Sequence, residues 1–146
     1  MGIRRKYREL VIQVFYALYH VETDSHLAHL DYLSQYKEIL DFVSTENNIS
    51  INNNIYKLAE SSIEKMIPLF DEFDDIISVG IGRDKMDKVG VIDLIIMRIA
   101  VYEIYFERIP APVMINESVE LAKKFSADKS PALINAILDK IVKNKK

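Results

Sequence analysis

RIAVYEIYFERIPAPVMINESVELAKKF, residues 98–125, followed by LINAILD at 133–139, is the stretch whose reading decides the fold. From about residue 91 to 107 the apolar side chains go most of the way round a helical surface. That is the pattern of a helix buried on nearly all sides. Pro110 and Pro112 then stiffen the connection, and Pro112 is well placed to open a helix ending near Phe125, since a first-turn proline has no intrahelical N–H to lose. Ser130 and Pro131 read as an N-cap followed by a proline at the first helical position. Leu133, Ile134, Ile137, Leu138, Ile141 and Val142 supply the buried face of that last helix.

Working outward, the remaining apolar residues also recur at helical spacing, and no segment alternates with period two between turn signals. A first helix is predicted over about 3–20, with Ile3, Tyr7, Leu10, Val11, Val14, Phe15 and Leu18 in one stripe. A second, near 27–43, carries Leu27, Leu30, Leu33 and Leu40. The polar run STENNISINNN at 44–54 breaks it, because asparagine favours turns and caps. A third starts near Asn54 with Ile55, Leu58, Ile63, Met66 and Ile67 facing inward. Pro68 ends or kinks it, and a further helix holds the acidic run at 71–75. VGIGRD, with Gly80 and Gly82, reads as a loop. The fold class is therefore all-α, with about seven helices.

One domain fits a length of 146 residues, and 49% apolar with 28% charged residues is ordinary globular composition. Without cysteine there are no disulfides, thiolate zinc sites or cysteine nucleophiles. No apolar run approaches the roughly 18 residues of a membrane span, and the charged N-terminus is unlike a signal peptide, so a cytoplasmic location without membrane contact is expected. Net charge is −3 but unevenly spread. Residues 21–80 hold 12 acids against 3 bases, a net of −9, while 1–20 and 81–146 are each +3. Local field matters more to a polyanion than total charge.

The chemistry on offer is mainly that of binding. At 100° per residue, Arg5, Arg8, Ile12, Tyr16 and Tyr19 fall within about an 80° sector beside the apolar stripe of the first helix. Arginine forks grip phosphate and stack on bases, and exposed tyrosines add stacking surface, as in single-strand RNA recognition. The plainer alternative is a solvated basic helix end with tyrosines half buried at a helix crossing. Asn116, Glu117 and Glu120 share a helix face but have no histidine beside them. Glu117 can serve the positive start of its helix while Asn116 caps or bridges. Glu103 with Arg98 or Arg108 reads as an internal ion pair or hydrogen-bonded group rather than a catalyst. His26 and His29 lack an evident third ligand, and the glycines of GIGR match no phosphate loop. No metal, cofactor or catalytic site is expected.

The opening RRKYRELVIQVFYAL, with Arg4, Arg5, Arg8, Glu9, Gln13 and Tyr16, and the later series Arg98, Tyr102, Glu103, Ile115, Asn116, Glu117, Glu120, Leu121, Ala122, Lys123, Asn135, Leu138 and Asp139 together resemble the NusB transcription antitermination family. Between about residues 20 and 87 the likeness is only in helical character. The resemblance implies one NusB-like RNA-binding domain over 1–146, its helices forming two three-helix subdomains packed across each other. It also implies a bacterial factor without enzymatic activity. Such a factor binds boxA RNA together with the ribosomal protein NusE within the RNA polymerase antitermination complex, supporting rRNA transcription. RNA contact would fall to Arg4, Arg5, Arg8, Tyr19 and Lys129, and partner contact to Tyr16 and Asp93, whose carboxylate suits a basic side chain. A homodimer burying the arginine helix is a further possible partner state.

This chain departs from the family pattern in three places. Tyr7 stands where a small residue is usual, the frequent Trp before the central helix is missing, and Leu133 with Asn135-Ala136 replaces an aromatic and Asn-Gly. Lys129 can compensate there by charge. Two readings of other classes remain. One is an RNA-recognition domain related to those fused to rRNA cytosine methyltransferases, which calls for a methyltransferase domain these residues do not contain. The other is a helical scaffold that binds protein only.

Overall fold

The computed structural model describes residues 2–25 and 31–144, and among them it is all-helical, with seven α-helices. The chain divides into two compact units, Met1–Leu69 and Phe70–Lys146. The first holds three α-helices and the second four.

In the first unit, α1 (Ile3–Ser25) packs against both α2 (Tyr32–Glu46) and α3 (Asn54–Met66). Two neighbours widen the buried arc of α1 beyond the predicted stripe, so Ile12 joins Leu10, Val11, Val14 and Leu18 in the core at 1% exposure. The helix also runs beyond residue 20, because no glycine or proline interrupts VETDS. On α2 the inward residues are Tyr32, Tyr36, Leu40 and Val43, at helical spacing, and Leu33 is 46% exposed rather than facing in. Leu27 and Leu30 lie outside the described residues. The polar run ends α2 three residues later than expected, through Asn48 at φ 58 and an Ile49 N–H bonded to Ser44 O at 2.8 Å. Asparagine tolerates that left-handed conformation. Asn53 then caps α3, its Oδ1 accepting the Ile55 N–H at 2.7 Å.

Pro68 sits in a 3-10 turn, Ile67–Leu69, between α3 and α4 (Phe70–Ile81), where its missing donor breaks the α pattern. Gly80 is not in a loop but inside α4, facing α7 (Ser130–Asn144). A Cβ there would lie 2.8 Å from the Ile137 carbonyl oxygen, so glycine is what lets the two backbones touch. Only Gly82, at φ 99, leaves the helix, and a 3-10 segment Arg83–Lys88 follows.

α5 (Val91–Tyr105) is the core of the second unit, packed by α4, α6 (Ala111–Phe125) and α7. Ile95, Ile96, Met97, Ile99, Ala100 and Val101 are all at most 3% exposed, as its nearly unbroken apolar surface requires. Phe73 of α4 meets Tyr102 and Phe106 edge-on, with ring centroids 6.1 and 5.6 Å away. The chain leaves α5 through Arg108 at φ 58 and enters α6 with a proline in the first turn, as the sequence suggests.

Candidate functional site

On α1 the exposed cations of the first two turns are Arg4 and Lys6, with Arg5 half buried. Arg8 is only 3% exposed, its guanidinium 5.6 Å from the Tyr7 ring centroid. It falls inside the wide buried arc of α1, where the sequence placed it on the RNA face. Further along, Tyr16 and Tyr19 are 39% and 36% exposed. The exposed His20 ring packs edge-on to both, at 4.5 and 5.7 Å between centroids. Three aromatic rings at i, i+3 and i+4 thus form one partly exposed patch, a stacking surface for a base or a partner side chain. His20 was missed as part of it because histidine was weighed only as a metal ligand. The i+3, i+4 spacing was the available signal.

In the second unit Asp93 occupies the first turn of α5 and is 7% exposed. Ser126 Oγ donates to its Oδ1, and Ser130 Oγ donates to its Oδ2 at 2.9 Å. Ser130 was expected to cap α7 with this hydroxyl. It opens the helix, but its side chain reaches back to α5. Lys129 is exposed on the turn between the two serines, beside the exposed Asp128. Nothing in the spacing of 93, 126 and 130 announces this contact, because it depends on how α5 meets the α6–α7 connection.

The other residues singled out in the sequence have structural surroundings. Arg98 pairs with Asp74 rather than Glu103: Nε and Nη2 each donate at 2.9 Å to a separate carboxylate oxygen. Its guanidinium also lies 4.5 Å from the Phe70 ring centroid. Glu103 is fully buried. α6 begins at Ala111, so neither Asn116 nor Glu117 lies at the helix start where a cap or dipole role was expected. Asn116 instead lines an open groove of about 520 Å³ with Ile115, Val119, Asn135 and Asp139, between α6 and α7. Glu120 pairs with Lys123 at 2.9 Å. His26 and His29 lie outside the described residues. Among the described residues no three His, Asp or Glu side chains gather as a metal site, and no helix is long and apolar enough to cross a membrane.

The sequence model of the NusB family matches residues 5–143. The chain belongs to the NusB family. The transcription antitermination protein NusB of Thermodesulfovibrio yellowstonii is 38% identical over 96% of this chain and 91% of its own length. Among solved structures, T. maritima NusB superposes with a TM-score of 0.72 at 27% identity, covering 94% of this chain and 91% of that one. A chain from the crystal structure of the antitermination factors NusB and NusE in complex with dsRNA gives a TM-score of 0.78 over 99% of both chains. At 22% identity that likeness is one of fold. NusB membership therefore extends across residues 20–87, where the sequence resembled the family only in being helical.

Proposed function

We propose that this protein is a transcription antitermination factor that binds boxA-type RNA together with NusE, acting in the bacterial cytoplasm by binding rather than catalysis. The observation that carries the reading is the family match over residues 5–143, with relatives of nearly equal length named as antitermination proteins. The α1 surface supports it. Arg4, Arg5 and Lys6 offer phosphate-binding cations about three to four turns before the exposed Tyr16, Tyr19 and His20 rings. In this reading Arg4, Arg5 and Tyr19 of the first unit contact RNA, as does Lys129 of the second, while Tyr16 and Asp93 face NusE. Arg8 enters only by a change of side-chain position, since the free chain keeps it 3% exposed.

Titrating boxA-type RNA into the protein with and without NusE, over a salt series, tests the proposal. Saturable binding strengthened by NusE is expected, with a slope of log K against log salt that falls by about 0.7 for each phosphate contact removed. RNA binding no tighter than to an unrelated single strand, with or without NusE, would overturn it.

A further inference from the structure

Three helix ends of the second unit converge on one carboxylate. Asp93 stands in the first turn of α5, Ser126 caps the end of α6, and Ser130 is the first residue of α7. The carboxylate is 7% exposed and Ser130 4% exposed. Burial leaves the carboxylate oxygens without water as a donor, and here two hydroxyls supply the hydrogen bonds, one to each oxygen. The start of α7 adds a favourable positive helix end.

Between the two serines stand only Ala127, Asp128 and Lys129. Both ends of this short turn are therefore tied to α5 through the same side chain, and the Ser130 N–H closes the turn onto Ala127 O at 2.9 Å. An exposed lysine on a loose turn must lose backbone freedom each time it meets a phosphate. On a turn fixed at both ends, that ordering is already complete.

We propose that Asp93, Ser126 and Ser130 are positioning residues for RNA binding, pinning the 126–130 turn so that Lys129 is presented to a phosphate at a fixed place. This rests on the reading of Lys129 as an RNA contact. The serines touch no RNA in this scheme and act only through the turn. The arrangement gives α5, whose Asp93 also stands in the proposed partner surface, direct control over one of the RNA cations.

The test is a cycle of Lys129→Ala, the pair Ser126→Ala/Ser130→Ala, and the triple variant, each titrated with boxA-type RNA and NusE over a salt series. Amide hydrogen exchange of residues 126–130 is followed in the RNA-free protein, and melting checks the fold. Lys129→Ala should lower the salt slope by about 0.7 in the wild-type background and by clearly less without the serines. Turn exchange should quicken in the serine pair, and Ser126→Thr, which keeps the hydroxyl, should behave as wild type. A merely structural role would lower melting temperature yet leave the Lys129 effect the same in both backgrounds, and that result sinks the inference, as does unchanged turn exchange. Wild-type-like binding by Lys129→Ala would instead remove the RNA reading of Lys129, and the inference with it. Absence of RNA binding by the wild-type chain would defeat the proposed function itself, with exchange still deciding whether the serines pin the turn. If the serine pair fails to fold, the single variant Ser126→Ala, outside the proposed partner surface, takes its place in the cycle.

Discussion

The two units join their helices by different polar chemistry. In the first, α2 and α3 are linked at the rim: the Tyr36 hydroxyl donates to Glu64, Tyr56 donates to Asp41, and Lys37 pairs with Glu60 at 3.0 Å. Glu64 and Asp41 are exposed, so water can replace either tyrosine. In the second, Asp93 lies buried between two serines, and Arg98, partly exposed, is held by two prongs to Asp74 and lies over Phe70. Rim links adjust how neighbouring helices meet at little cost if lost. Buried ones demand a single arrangement, because a partner left behind has no water to turn to.

Several variants would break or sharpen this contrast. The largest loss is expected from Ile99→Ala. Its side chain is 1% exposed in a helix surrounded by three others, so lost burial and the residual cavity should cost about 2–5 kcal/mol, read from denaturant unfolding. Arg98→Ala should follow at roughly 1–3 kcal/mol, since the side chain is only partly exposed and Asp74 loses a two-pronged donor. Tyr36→Phe, at the rim, should cost only about 0.5–1.5 kcal/mol. If it matched Arg98→Ala in the same unfolding experiment, the ranking of a single rim hydroxyl below a two-pronged ion pair would fail.

Alkaline titration probes the same contrast without mutation. Burial, and then the Glu64 carboxylate, push the Tyr36 phenol above its ordinary value; burial and Asp41 do the same for Tyr56. In the second unit, burial and then Glu107 raise Tyr102 to about 12. A phenol raised in the folded state holds its proton longer there than in the unfolded chain. Its stabilisation is therefore complete below the unfolded value near 10 and is lost as pH rises through the folded one. Denaturant midpoints should be level up to about pH 9.5 and fall beyond, with Tyr36→Phe/Tyr56→Phe flattening the decline. An unaltered decline in that double variant would place the alkaline sensitivity outside the α2–α3 rim.

The smallest effect on stability belongs to Arg4→Ala, within about 0.5 kcal/mol as an exposed first-turn change. Its expected signature is in RNA binding, a salt slope lower by about 0.7. Arg8→Ala should do the reverse, lowering the melting temperature more than the slope, because that guanidinium is packed in the interior.

How much of this was legible follows from the range of the signal. Helical periodicity and proline placement are local, and they delivered α5, α6 and α7 to within a few residues. The width of the buried arc on α1 was not legible, since burial depends on neighbours that the spacing does not show, and the burial of Arg8 and Ile12 went unforeseen for that reason. Gly80 read as a loop because glycine marks turns more often than close helix crossings, and which backbone passes it is a tertiary fact. Arg98 was matched with Glu103 on its own helix, and only packing selects Asp74 of α4. Charge asymmetry marked the basic start of α1, but it could not say which of its cations stay in water.

The crossing at Gly80 carries a consequence for measurement. Because Gly80 contributes no side chain, the separation of α4 and α7 there is set by contact with the Ile137 main-chain oxygen, which does not rotate, and with the stiff β-branched side chains of Ile137 and Ile141 beside it. A spin-label or fluorophore pair spanning these helices near this point, on exposed sites such as Asp75 and Lys140, would therefore report a distance that barely responds to repacking elsewhere in the unit. It is a built-in ruler, and a shift in its reading would signal that α7 has moved as a body.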